Sequence, residues 1–285
     1  MKALEGIRVL DFSTHTAGPA CCAMMADLGA EVIKVELPVE GDDTRRLANS
    51  IQGYSTQFMW NNRGKKSITV DLKDPDGAAA ILELGKTCDI VFETMKPGSM
   101  KKMGLDYEAF KAVKPDIIYC SISAFGQTGP KAKDPGFDIL AQACSGIMDM
   151  TGERNGPPVK SGVIISDFIS GKDAFGACMV ALFHRFRTGE GQMIDVAMQQ
   201  CLASMNPLSR RPTARTRTGR ATTPQAPHPT ACSRDRMTST LSLPRTPTAT
   251  LQSSVLRSSN APSLLTTRAL SVDRTARTIT ESLRT

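Results

Sequence analysis

Three histidines and no Cys-x-x-Cys pair leave this chain without the ligand spacing of a zinc site or a similar N/S metal centre. Its cysteines (Cys21, Cys22, Cys88, Cys120, Cys144, Cys178, Cys201 and Cys232) are scattered through apolar stretches. That usage is expected of reduced, buried thiols in a cytoplasmic protein. No apolar run approaches the roughly 18 residues needed to span a bilayer, so no membrane partner is expected. Met1–Gly6 leads straight into a strand pattern containing an acid, and no secretory signal is expected there. A G-x-G-x-x-G turn is also absent. The first strand-to-helix turn reads Ser13-Thr14-His15-Thr16-Ala17-Gly18-Pro19, in which one glycine could admit pyrophosphate and Pro19 offers no N–H. Glu36 stands where a ribose-binding acid would, yet without the glycines a dinucleotide site is not supported.

A further absence divides the chain. From Leu208 to Thr285 there is no Lys, Phe, Tyr or Trp, and Gly219 is the single glycine. The same stretch has 13 Arg against three acids, Asp235, Asp273 and Glu281. The formal net charge of +7 therefore belongs to this tail, because residues 1–207 carry 22 basic and 25 acidic residues. A basic excess normally points to nucleic acid, but the tail lacks the aromatic residues that stack on bases. No nucleic-acid partner is expected, and function is to be read from residues 1–207.

Within 1–207, short apolar runs alternate with helix patterns. Ile7–Asp11 and Glu31–Glu36 read as strands around a helix over Ala20–Leu28, a β-α-β unit with a parallel strand pair. Strands are predicted at Ser67–Asp71, Asp89–Glu93 and Asp116–Ser121, with helices at Pro75–Lys86 and Tyr107–Val113 between them. Helices follow at Asp138–Ile147 and Gly171–Phe186. Ser161–Asp167 reads as an extended segment ending on a carboxylate, Met193–Val196 as a strand and Ala197–Met205 as a helix. This alternation predicts an α/β fold with a Rossmann-like, mainly parallel sheet.

Basic residues recur near the predicted strand ends: Lys34, Arg45, Arg46, Arg63, Lys65, Lys66, Lys73, Lys101 and Lys102. A parallel sheet could gather several of them against a phosphorylated ligand, or they could form a solvated surface. Asp167, read alone, is a carboxylate before a helix, the usual place for an N-cap.

The order of short blocks says more than any one of them. Leu4-Glu5-Gly6-Ile7-Arg8-Val9-Leu10-Asp11 is followed by Ala17-Gly18-Pro19 and by Ala26-Asp27-Leu28-Gly29-Ala30-Glu31-Val32-Ile33-Lys34-Val35-Glu36. Asn62-Arg63-Gly64-Lys65-Lys66-Ser67-Ile68, Lys96-Pro97-Gly98, Ser123-Ala124-Phe125-Gly126-Gln127-Thr128-Gly129-Pro130, Gly136-Phe137-Asp138 and Thr188-Gly189-Glu190-Gly191-Gln192 continue the series. In this order they resemble the family III CoA-transferases, the group of formyl-CoA and carnitine CoA-transferases.

The resemblance implies an acyl-CoA:carboxylate CoA-transferase acting on an acyl-CoA donor and a carboxylic acid acceptor. Coenzyme A would be a substrate, with no permanently bound cofactor and no metal. The family's catalytic carboxylate corresponds to Asp167, which would form an aspartyl anhydride and then an aspartyl-CoA thioester. Contacts to CoA carry over to Thr14, His15, Thr16 and Ala17, to Lys73, to Thr94 and Met95, and to Lys102. The related α-methylacyl-CoA racemases have His where this chain has Phe137, which favours transfer over racemisation. A non-catalytic CoA-binding protein is a third reading.

The resemblance further implies a large domain and the start of a linker and small domain over 1–207, the small domain being incomplete. It implies interlocked-ring homodimers for the full-length family. Residues 208–285 match no part of it. They are expected to be an out-of-frame reading after codon 207 or a disordered appendage, and this copy is expected to be a defective transferase.

Overall fold

The computed structural model describes residues 1–47, 49–153 and 156–205, so the readings made for 208–285 lie outside the described residues. In chain order the elements are β1 (Arg8–Asp11), α1 (Ala17–Asp27), β2 (Glu31–Glu36), a 3-10 turn (Asp43–Arg46), β3 (Ser50–Ile51), β4 (Tyr54–Ser55), α2 (Thr56–Asn62) and β5 (Lys66–Thr69). There follow α3 (Pro75–Gly85), β6 (Ile90–Glu93), α4 (Ser99–Lys102), α5 (Tyr107–Val113), β7 (Ile118–Ser123), α6 (Asp138–Ser145), α7 (Ile165–Thr188), β8 (Met193–Ala197) and α8 (Met198–Ser204).

Six strands form one parallel sheet in the order β5-β2-β1-β6-β7-β8. The expected Rossmann-like α/β architecture is present. Each interior strand is apolar on both sides because both faces are covered. Val9 and Val32 face a core built with α1, α6, α7 and α8. Their neighbours Leu10 and Ile33 face the opposite core, which includes Ile81 of α3 and Phe110 of α5. Alternation with period two sorts one strand into two cores.

Strand order reverses between β1 and β6. From β1 the chain builds outward through β2 and β5; from β6 it builds the other way through β7 and β8. At such a reversal the loops leaving adjacent strands part in opposite directions and open a crevice at the carboxyl ends of the strands. Here those loops are Phe12–Thr16 and Thr94–Gly98.

One sequence expectation is corrected. Ser161–Asp167 is not an extended segment running to a carboxylate; α7 begins at Ile165, six residues before the expected Gly171, and Asp167 lies in its first turn. The N-cap is Ile164, without a side-chain cap, so Asp167 is not the cap either. The cap comes from elsewhere in the chain. Asp138 Oδ1 accepts from the Ser166 backbone N–H and from Ser166 Oγ, both at 2.8 Å. A donor satisfied from 28 residues away leaves no local signal.

Candidate active site

A cavity of about 460 Å³ occupies the crevice. Its walls include Thr14, His15, Thr16 and Ala17 from the loop after β1, and Thr94, Met95 and Lys96 from the loop after β6. Ser123 and Ala124 from the end of β7, Gly136 and Phe137 before α6, Asp167 of α7 and Met198 of α8 complete them. Thus seven of the sequence-predicted site residues meet in one place: Asp167, Thr14, His15, Thr16, Ala17, Thr94 and Met95.

Two do not join them. Lys73 and Lys102 are exposed and absent from the cavity wall. Lys73 follows β5 at the sheet edge, two strands from the crevice, and Lys102 ends α4. Linear proximity to a strand end did not bring either side chain inward. The wider idea of a basic cluster also fails for most of its members, because they are paired. Arg45 holds Glu36 through two hydrogen bonds, at 2.7 and 2.6 Å. Arg46 meets Asp43, Arg63 meets Asp27 and Lys66 meets Glu31. Lys34 and Lys65 are buried in ion pairs.

Glu36 is unavailable to a ribose for the same reason. Burial opposes its ionisation, but Arg45, Ser67 and the Asp42 N–H outweigh burial and hold its pKa at about 2.

The loop after β1 is shaped by close packing. A Cβ on Gly18 would lie 2.3 Å from Ser13 Cβ and 2.6 Å from Thr94 Cγ2. The glycine that seemed suited to admit phosphate instead admits its own loop and the neighbouring one. Across the crevice the Thr14 N–H donates to Thr94 Oγ1 at 3.0 Å. His15 adopts a left-handed backbone, φ 64°, which is strained for a residue with a Cβ. Asn61 Nδ2 donates to the His15 carbonyl at 3.1 Å, and Gln57 Nε2 to Thr16 Oγ1 at 3.0 Å. The His15 ring stands edge-on to Phe137, centroids 6.1 Å apart, and Phe137 is 66% exposed.

Asp167 differs from the acids of the β1 side. Among the described residues no donor bonds its carboxylate, and burial, with Asp138 as a smaller cause, raises its pKa to about 7. A partly buried carboxylate without donors is more basic and more nucleophilic than a solvated one, and it opens onto the cavity. Its helix is seated closely: a Cβ on Gly171 would lie 2.6 Å from the Ala17 carbonyl oxygen, so α7 and the start of α1 meet backbone to backbone.

Sequence reasoning missed two groups. Asp138 was noted within a block but not as the residue that caps α7 and faces Asp167. Glu93 ends β6 and lies across from Ser121, which in turn lies across from Asp195. Burial foremost, then Asp195, push Glu93 up to about 7, although Ser121 and the Met95 N–H, at 2.6 Å, bond its carboxylate. Strand register brings these acids together, and no spacing in the sequence encodes it.

The family model described as CoA-transferase family III matches residues 4–237. The succinyl-CoA:glutarate CoA-transferase of Mus musculus is 47% identical over 196 residues, 68% of this chain and 45% of its own length. The succinate–glutarate CoA-transferase of Agrobacterium fabrum is 45% identical, covering 68% of this chain and 50% of its own. The crystal structure of a CAIB/BAIF family protein from Brucella suis superposes with a TM-score of 0.69 at 41% identity, over 73% of this chain and 58% of that one. The chain spans about half the length of the curated relatives it matches.

Proposed function

Because the chain belongs to CoA-transferase family III, we propose that it moves coenzyme A from an acyl-CoA donor to a free carboxylic acid, with Asp167 as the covalent carrier. The observation that carries this reading is the placement of an undonated carboxylate on the wall of the crevice between the β1 and β6 loops. An Asp167 oxygen attacks the thioester carbonyl and CoA leaves as thiolate, giving a mixed anhydride. The thiolate attacks the aspartyl carbonyl, the donor acid departs, and CoA is held on Asp167 as a thioester. An acceptor carboxylate attacks that thioester, expelling thiolate again. The thiolate then takes the acceptor's acyl group and restores Asp167. Every bond made is matched by one broken, and no redox change occurs.

Thr14, His15, Thr16, Ala17, Thr94 and Met95 would line the path of CoA. Lys73 and Lys102 would serve at most its far end. Short dicarboxylic acids are the proposed substrates, following the names of the relatives. The reading is tested by incubating the protein with succinyl-CoA and digesting it for mass spectrometry. A CoA adduct on the peptide holding Asp167, absent from Asp167→Ala, is the expected result; an adduct that persists in Asp167→Ala overturns it.

Racemisation is a second reading because His15 and Asp167, two possible proton carriers, share the cavity. Loss of an α-proton to deuterated water without an acceptor acid would favour it.

We further propose a homodimer, supported by the exposed apolar Val180, Phe183 and Phe186 on α7, and a cytoplasmic location, supported by the free thiols among the described residues. Among the described residues no helix is long and apolar enough to cross a membrane. The domain proposal is a large domain and the start of a small one over 1–207. The composition of 208–285 supports an out-of-frame reading after codon 207, although the family match continues to residue 237, and on that reading this copy is proposed to be a defective transferase. Sequencing across codon 207 tests the first point, and multiple-turnover CoA exchange the second.

A further inference from the structure

Beneath the β1 loop lies a buried network of four charges. Lys34, 1% exposed, pairs with Asp42 at 2.9 Å and donates to the Ser13 carbonyl at 2.6 Å. Asp11, fully buried, pairs with Lys65 at 2.8 Å. Its other oxygen accepts from the Ser13 N–H at 2.9 Å and from Ser13 Oγ. Ser13 is thus grasped at its N–H, its hydroxyl and its carbonyl. Thr14, His15, Thr16 and Ala17 of the cavity wall follow it directly.

Two lysines offset two aspartates, so the network is neutral as a whole and costly to break in part. Burial works against the charge on Lys34, yet Asp11 and Asp42 outweigh it and raise its pKa. An ammonium that holds its charge inside the fold, with one of its bonds spent on a loop carbonyl, is placed to fix that loop. Strain at His15 makes such fixing necessary, because a left-handed residue persists only where its surroundings over-determine it.

We infer that Lys34 is a positioning residue for the cavity: through the Ser13 carbonyl it locks the main chain of Ser13–Ala17 in the shape that receives a ligand. The inference rests on the proposed function only for the identity of that ligand, coenzyme A.

Amide hydrogen exchange on the full chain, joined to CoA titration calorimetry, tests it. In the unaltered protein Ser13 and Thr14 exchange as slowly as β1; exchange at free-loop rates overturns the proposal. Lys34→Met alone strands the buried Asp42 and could unfold the protein, so the informative variant is Lys34→Met with Asp42→Asn. Exchange at Ser13–Thr16 then rises at least about tenfold while β1, β6 and β7 stay protected. The Kd for CoA weakens by a similar factor. Asp42→Asn alone, which keeps the bond from Lys34 to Ser13, leaves the loop slow.

An unchanged loop in the double variant overturns the proposal. So does an equal loss of protection in every strand, which would make Lys34 a core support only. A loosened loop with unchanged CoA affinity overturns it as well, as does Asp42→Asn acting like the double variant. If the unaltered protein binds no CoA but the exchange pattern holds, Lys34 keeps its role and the proposed ligand falls.

Discussion

On the β1 side of the cavity charges stand in opposite pairs: Asp11 with Lys65 and Lys34 with Asp42, all with buried side chains, and buried Glu36 with the exposed Arg45. On the α7 side burial first, and the neighbouring Asp138 second, raise the pKa of Asp167, and among the described residues no donor bonds its carboxylate. Pairing spends a charge on structure and leaves it unavailable for chemistry. Leaving a carboxylate unpaired costs stability and keeps it free to react. On the proposed function the two walls divide the labour, one fixing the geometry and the other holding the carboxylate proposed to react.

The comparison is broken most directly at Asp167. Asp167→Asn is expected to lower CoA transfer, or single-turnover adduct formation, on the order of a thousandfold or more, measured by rapid quench. An equal loss from a charge-neutral change on the β1 side would erase the distinction.

Lys65→Met should be strongly destabilising. It leaves Asp11 charged, buried and unpaired, and is expected to cost about 3–5 kcal/mol in urea unfolding.

The two walls should also respond to pH with opposite signs. Asp167 has a pKa raised from 3.8 to about 7, so its contribution to stability is full below about 4 and is lost as pH rises through 7. Glu36 has a pKa lowered from 4.5 to about 2, so its contribution is present above about 4.5 and is lost as pH falls through 2. Asp167→Asn should accordingly stabilise the fold at pH 8, on the order of 1–2 kcal/mol, and change little at pH 4. Thermal unfolding at the two pH values checks this.

The smallest effect is expected from Asp138→Asn. Removing the lesser cause of the shift should move the pH midpoint of adduct formation downward, toward the ordinary carboxylate range, by a fraction of what burial contributes.

Much of the sheet was legible because its signals are local. Runs such as Val32-Ile33 and Ile90-Val91-Phe92 are strands buried on both faces, and they fell within a residue or two of the expected bounds. Thr14–Ala17 and Thr94–Met95, named from the family resemblance, share one cavity because both loops leave strands at the order reversal. Asp167 was located by the family's block pattern, but its backbone was misread, because Val163-Ile164-Ile165 favours a strand locally and the cap that starts the helix belongs to Asp138. Lys73 and Lys102, carried over from the resemblance, lie outside the cavity wall, because a matched position in a sequence does not give the direction of its side chain. The acids Glu93 and Asp195 were out of reach for a related reason: they become neighbours through the pairing of β6, β7 and β8.

The bare contact of Gly171 with the Ala17 carbonyl has a consequence for how this scaffold could be retuned. Because peptide rests on peptide there, the span from the Asp167 backbone to the β1 turn is set by main chain, not by side chains between them. Side chains such as Phe137, Ala124 and Met198 on the same wall could be exchanged to enlarge the cavity while the backbone that carries Asp167 stays where it is.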